Sequence, residues 1–423
     1  MLTTRPRGTN DILPGEIDKW HYLEKILRKV AEVYGYQEIR TPIFEHTELF
    51  QRGVGESTDI VEKEMYTFLD RGERSLTLRP EGTASTVRAF LEHKLYAGSL
   101  PAKFYYIGPM FRYDRPQAGR YRQFHQFGVE AFGSPDPGLD AEVIAMAMDI
   151  YEQLGLRNLN VELNSVGCPN CRQAYREALQ EHLSDKLSEL CPTCRGRYSK
   201  NPLRIFDCKS SQCRQLVADA PTIDQMLCEE CAEHFSLVQE YLQELQVPYS
   251  LNPNLVRGLD YYTQTAFEIV AQGIGAQSSI GGGGRYDHLV EECGGPALPG
   301  IGYAMGLERI LLTLEEQKVS LPIPTKARVF LAALGKEAQK TGGLLAQKLR
   351  NAGWVVERDY LGRSLKAQLK AADRLQALYT IIIGEEERQK GVVILRKMQE
   401  SKQEICALQD VVPSLVKKFN EQI

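Results

Sequence analysis

The sequence predicts an α+β protein: a first domain built on an antiparallel sheet flanked by helices, interrupted by a helical cysteine-rich insertion, then a C-terminal α/β domain with a mixed sheet. Three observations carry that prediction. Strand-like runs cluster near one another before and after helical stretches rather than alternating with them. Eight cysteines fall together between Cys168 and Cys231. A linker with two prolines, Leu321–Pro324, precedes a regular alternation of apolar runs and helices. The implied boundaries are 1–165 and 251–320 for the first domain, 166–250 for the insertion and 326–423 for the last domain.

Trp20, Leu23, Ile26, Leu27, Val30 and Val33 recur near helical spacing and predict a helix over Asp18–Tyr34. A strand over Tyr36–Phe44 follows, interrupted by Pro42, which has no N–H to give a ladder. Further strands are expected at Ser75–Leu78, Phe104–Tyr113 and Gln123–Phe132, with helices at Ala84–Glu92 and Asp140–Leu154. After the insertion, strand character returns at Tyr262–Ala271, a glycine run occupies Gly281–Gly284, and a helix is expected over Ala304–Glu316. In the last domain, strands at Val329–Leu334, Trp354–Glu357, Tyr379–Ile383 and Val392–Leu395 alternate with helices at Glu337–Asn351 and Leu365–Ala377.

Hydrophobic residues at 43% and charged residues at 25% exclude a disordered or fibrous chain. No segment reaches the roughly 18 apolar residues that a membrane span needs, and Met1–Trp20 carries prolines and charges where a signal peptide is apolar, so a cytoplasmic protein is expected. The net charge of −4 hides an asymmetry. The last 98 residues hold 18 Lys and Arg against 11 Asp and Glu, which leaves −11 for the rest. A basic tail fits a polyanionic partner, and equally an ordinary solvated domain.

No glycine-rich stretch is followed by Lys-Ser or Lys-Thr, which excludes a P-loop, and Gly300-Ile301-Gly302 has the wrong spacing and setting for a dinucleotide fingerprint. What stands out is arginine beside aromatics and carboxylates, in Phe111-Arg112-Tyr113-Asp114 and Arg120-Tyr121-Arg122-Gln123-Phe124. Guanidinium forks bind phosphate bidentately and an aromatic face can stack on a base, so this stretch suits a nucleoside triphosphate or a nucleic-acid end.

These residues belong to an ordered set that resembles the class II aminoacyl-tRNA synthetases. Motif 1 is similar to the helix and strand ending at Pro42, motif 2 to Phe111-Arg112-Tyr113-Asp114, and motif 3 to Gly300-Ile301-Gly302 through Gly306-Leu307-Glu308-Arg309. Within that class, Leu255-Val256-Arg257-Gly258-Leu259-Asp260-Tyr261-Tyr262 and Ser279-Ile280-Gly281-Gly282-Gly283-Gly284-Arg285-Tyr286-Asp287 resemble the two signatures of the histidine branch. Leu78-Arg79-Pro80-Glu81-Gly82-Thr83 and Arg120 through Gln126 match as well. The likeness is most specific over Arg5–Glu130 and Leu255–Arg309, and weaker in the insertion.

The resemblance implies ATP-dependent ligation of L-histidine to tRNA(His) through a histidyl-adenylate, with Mg2+ bridging the β- and γ-phosphates and AMP and diphosphate released. It implies that Arg112 and Arg257 stabilise the α-phosphate and Arg309 the γ-phosphate, that Phe124 stacks under adenine, and that Asp114 and Arg120 complete the ATP site. Glu81, Gly82, Thr83 and Gln126 would hold the histidine ammonium end, Glu130 and Tyr262 the imidazole, with Tyr261 and Tyr286 lining the pocket. A carboxylate and a phenol could satisfy both ring nitrogens of a neutral imidazole, which an apolar amino acid would leave unpaired. The 3′-hydroxyl of the terminal adenosine would attack in the second step, and no obvious general base is visible. Motif 1 implies a homodimer, and the last domain matches an anticodon-binding domain.

Cys168 and Cys171, Cys191 and Cys194, and Cys228 and Cys231 have zinc-knuckle spacing, and Cys208 with Cys213 adds a fourth pair, in a chain whose expected compartment keeps thiols reduced. One or two structural zinc sites, or buried thiols without metal, fit that spacing. Two rival functions share part of the pattern. A regulatory paralogue of the family lacks the C-terminal domain and has eroded motifs, whereas Arg112, Arg257 and Arg309 all stand here; a class II enzyme for proline or threonine would not explain Arg257 to Tyr262.

Overall fold

An eight-stranded sheet organises the first 321 residues. Its order is Gln37–Glu38, Ala102–Phe111, Gln123–Phe132, Gly300–Gly306, Ser279–Arg285, Thr263–Ala271, Leu159–Ser165, Tyr249–Leu251. The six long strands pair antiparallel, and only the short edge strands run parallel to their neighbours. The computed structural model describes residues 3–55, 58–206, 208, 210–271, 279–323, 328–400 and 402–420. The chain forms two compact units, Met1–Leu321 and Pro322–Ile423.

One face of the large sheet is filled and the other is stripped. Helices Ile17–Val33 and Pro137–Gln153 cover the filled face, where Leu23, Leu27, Ile144 and Ile150 pack on Phe127, Val129, Ile301, Tyr303 and Met305. Because strand side chains alternate, the next residues along, Gly128, Gly302, Ala304 and Gly306, point the other way and leave a trough. The glycine run is itself a strand, pairing Gly282 with Ala304 and Gly284 with Gly302. Side chains there have no room: a Cβ on Gly302 would collide with the Glu130 carboxylate, and one on Gly282 would lie 2.8 Å from the Arg257 guanidinium.

Several expectations shift. The strand over Tyr36–Phe44 is two pieces, Gln37–Glu38 in the large sheet and Phe44–His46 in a separate three-stranded sheet with Ser75–Leu78 and Tyr66–Leu69. Between them the buried Arg79 donates to the Thr41 and Pro109 carbonyls at 3.0 and 2.9 Å, so carbonyls freed near Pro42 find a donor outside any ladder. The helix expected from Ala304 begins at Leu307, because Gly300–Gly306 continues the sheet to its last residue. Leu159–Ser165, an uncounted strand, carries the chain into the insertion.

The insertion is helical, as its polar, cysteine-punctuated sequence suggests, and has its own core of Tyr175, Leu179, Leu183, Leu190, Ile205 and Val217. In the second unit the strand order is Val355–Arg358, Arg328–Ala333, Tyr379–Ile383, Val392–Lys397, Gln403–Ala407. The first two pairings are parallel and the last two antiparallel, the mixed sheet that alternating runs and helices predict.

Candidate functional site

The trough over the stripped strands is a cavity of about 340 Å3, and its walls gather segments far apart in sequence. Glu81, Thr83, Arg112, Asp114, Arg120, Phe124, Gln126, Arg257, Tyr261, Tyr262, Tyr286 and Arg309 all line it. Gly82 and Glu130, the other two expected site residues, stand one layer back. Gly82 packs edge-on against Tyr106, and Glu130 is bonded to the lining residues Thr83 and Tyr286.

Cations dominate one end. Arg112 is anchored by its Nε on the Pro80 carbonyl at 2.8 Å and lies over the Phe124 ring at 5.5 Å. Arg309 donates to the Ser279 and Gly119 carbonyls at 2.8 and 3.3 Å, while Arg120 pairs with Asp114. Arg257 faces Glu268 at 3.5 Å and the Tyr262 ring at 5.8 Å, and its buried Nε finds no partner among the described residues. Backbone carbonyls thus take much of the hydrogen bonding, and a guanidinium so held is aimed without being neutralised. Burial lowers Arg112 and Arg309 from the usual guanidinium range, an opposition that an incoming anion would relieve. At Arg257 burial opposes the charge too, yet Tyr262 and Glu268 nearby raise it.

The other end is a nest of hydroxyls around carboxylates. Glu81 accepts from the Thr83 and Ala84 amides at 2.6 and 2.9 Å, so it caps the helix Thr83–Glu92 while facing the cavity. Glu130 accepts from Thr83 at 2.7 Å, from Tyr106 at 3.1 Å and from Tyr286. Burial pushes its carboxyl up to about 8, against those three bonds, so near neutral pH it is largely protonated in the empty site. Tyr261 stacks obliquely on Tyr262 and edge-on to Tyr286. The buried Oε1 of Gln126, a residue of the cavity wall, has no partner among the described residues.

Tyr106 and Glu268 were not anticipated from sequence. A signal for Tyr106 did exist: Gly128 sits directly opposite it inside a strand, and glycine there marks a close approach. Two residues of the matched signatures act elsewhere. Arg285 is fully buried in an ion pair with Asp140, bonded also to the Ser134 carbonyl at 2.9 Å, and Arg79 serves the chain reversal already described. Glu308 binds the amide and Nδ1 of His125, at 2.9 and 3.0 Å. The cysteines form two quartets, Cys168, Cys171, Cys228, Cys231 and Cys191, Cys194, Cys208, Cys213, each with its sulfurs within 4.8 Å of one another.

An arginine-rich end beside a polar, enclosed end suits a reaction between a polyphosphate and a small polar molecule, and known proteins agree. A family model described as histidyl-tRNA synthetase matches residues 8–310, and one described as anticodon binding domain matches 328–418. A histidine–tRNA ligase of Desulforamulus reducens is 62% identical over 97% of this chain and 98% of its own. That of Pelotomaculum thermopropionicum is 59% identical over 99% of both. Among solved structures, apo histidyl-tRNA synthetase of S. aureus superposes with a TM-score of 0.84 at 42% identity, covering 98% of this chain and 99% of that one.

Proposed function

The chain belongs to the histidyl-tRNA synthetase family, and from that premise we propose how its cavity divides the work of joining histidine to transfer RNA. The reaction is ATP-dependent ligation through a histidyl-adenylate, with release of AMP and diphosphate. The observation that carries the reading is a single cavity with four arginines at one end and a hydroxyl-satisfied carboxylate nest at the other.

ATP lies along the arginine end, adenine against Phe124, where Arg112 already provides a cation over the ring. Arg112 and Arg257 stabilise the charge that develops on the α-phosphate as the histidine carboxylate attacks, and Arg309 holds the γ-phosphate. Asp114 keeps Arg120 oriented toward the same nucleotide. Mg2+ supplies charge neutralisation between the β- and γ-phosphates. As a hard cation taking oxygen ligands, it would draw on phosphate, water and a lining carboxylate; Glu268, which faces Arg257, and Glu308, which bonds His125, both stand in the wall.

At the other end Glu81, Thr83 and Gln126 receive the ammonium, with Gly82 leaving the room that Tyr106 needs. Glu130 and Tyr262 take the imidazole nitrogens, and Tyr261 and Tyr286 exclude water. The tRNA 3′-hydroxyl then attacks the adenylate, and the basic domain at 326–423 holds the anticodon of tRNA(His). We divide the rest as 1–165 and 251–320 for catalysis, with 166–250 inserted between them. The insertion's eight thiols hold structural zinc, outside both chemical steps. Ile43, Phe44, Phe68 and Leu69 on and beside the three-stranded sheet are 44 to 67% exposed, an apolar face that a second copy covers in a homodimer. No helix among the described residues is long and apolar enough to cross a membrane, in keeping with work in the cytoplasm.

Amino-acid-dependent ATP–pyrophosphate exchange tests the reading. Exchange should occur with histidine alone of the twenty amino acids. Exchange driven by another amino acid, or none from folded protein, would overturn it.

A further inference from the structure

Resting on the reading of the insertion's thiols as a zinc centre, we propose that the chain carries two zinc ions with unequal duties. The ion at the neck of the insertion, on Cys168, Cys171, Cys228 and Cys231, positions the Arg257–Tyr262 segment in the active cavity. The ion at the tip, on Cys191, Cys194, Cys208 and Cys213, chiefly folds the insertion.

The geometry is that of two tetrathiolate sites. With Zn–S bonds of about 2.3 Å, tetrahedral coordination sets sulfurs roughly 3.8 Å apart. Cys168 lies 3.5 Å from Cys171 and 4.0 Å from Cys228, and Cys191 lies 3.9 Å from Cys208. Each Cys-x-x-Cys puts one cysteine at the N-cap of a helix and the other in its first turn, where the helix dipole favours a thiolate. Backbone amides already point at sulfur: Cys228 donates to Cys171 at 3.1 Å and Cys191 to Cys213 at 3.3 Å. All eight are free, and Cys228 is exposed, which plain core packing of thiols would not produce. On binding, each quartet gives up to four protons to solvent and takes one Zn2+.

The neck touches the active segment from two sides. Gly167, next to Cys168, accepts from the Gln264 amide at 3.0 Å, while Val166 donates to the Gln264 carbonyl at 2.7 Å. Arg172, on the helix that Cys168 caps, donates to the Asp260 carbonyl at 3.3 Å. His234, on the helix that Cys228 caps, bonds Asp140 at 2.9 Å and lies 3.4 Å from the Thr265 hydroxyl. Residues 260 to 265 are therefore gripped by both helices that the neck quartet joins, and Arg257, Tyr261 and Tyr262 ride on that grip. The tip reaches the same segment through side chains, Asn201 to Asp260 at 3.3 Å among them, whereas the neck also shares backbone hydrogen bonds with it, so the tip's influence is smaller.

Full-length enzyme purified without chelator should contain two zinc ions per chain by elemental analysis, and cobalt exchange should give thiolate charge-transfer bands. Replacing Cys168 and Cys228 together by serine should remove one zinc and raise the KM for histidine roughly tenfold through misplacement of Tyr262. Replacing Cys191 and Cys208 should remove the other and shift that KM by about twofold, the scale of a side-chain contact one step removed from the backbone grip. Cys228→His, which keeps four ligands, should retain both ions and the wild-type KM, and serves if the serine pair fails to fold. Wild-type protein that neither contains zinc nor takes it up overturns the zinc reading itself. Two ions with an unchanged histidine KM after loss of the neck ion, or with Cys228→His as impaired as the serine pair while still metal-loaded, overturn the positioning role alone.

Discussion

The two ends of the cavity solve opposite electrostatic problems. At the arginine end, Arg112 and Arg309 donate to neutral carbonyls while Arg120 and Arg257 sit beside carboxylates, and burial makes the charges of Arg112 and Arg309 costly until an anion arrives. At the histidine end the anionic group is the buried one, and burial, acting against three hydroxyl bonds, raises the Glu130 carboxyl so that it rests largely uncharged. The first end waits for the charge of ATP; in the second, Glu130 is largely neutral before histidine arrives. Rate acceleration should therefore reside at the first and recognition at the second.

Substitutions can break that division, beginning with the largest effect. Arg257→Ala should slow pyrophosphate exchange by about 10²- to 10³-fold, the usual loss when one preorganised donor to a reacting oxygen is removed. Steady-state exchange should put that loss in kcat. Glu130→Gln should raise the KM for histidine about 10- to 100-fold, since a carboxyl that can either give or take a proton at the imidazole becomes an amide of fixed donor and acceptor, and kcat should change less. Phe124→Leu should raise the KM for ATP by about three- to tenfold through lost ring contact and leave the histidine KM alone. A further signal, in stability rather than rate, lies in pH. In the empty enzyme the Glu130 carboxyl binds its proton up to about 8, whereas the unfolded chain releases it near 4.5. Its contribution to stability is thus complete below about 4.5 and is lost as pH rises to about 8, with a slope approaching one proton per chain. Thermal melts across that range should fall less steeply for Glu130→Gln.

Residues whose chemistry is written in their type were legible. Arg112, Arg257, Arg309 and Phe124 stood in recognisable segments, and the cavity gathers all four. What escaped depended on register between distant strands. Tyr106 enters the site because it faces Gly128 across one ladder, and Glu268 because Thr263–Ala271 lies beside the glycine strand. Neither pairing has a local signature. Gly281–Gly284 could not be read as a strand from propensity, since glycine is a poor strand former chosen here for the space it leaves. Arg285 shows the converse. It sits in a signature segment, yet its fully buried pair with Asp140 is structural, and motif membership alone does not separate the two roles. The thiol spacing left one or two sites open, and only the fold joins the first Cys-x-x-Cys to the third.

The most direct test of the division is calorimetric titration of histidine, without ATP, into wild-type, Arg257→Ala and Glu130→Gln enzymes. Histidine should bind Arg257→Ala as tightly as wild type within about threefold and Glu130→Gln far more weakly. Equal loss in both variants would contradict the account, because the two ends would then form one recognition site.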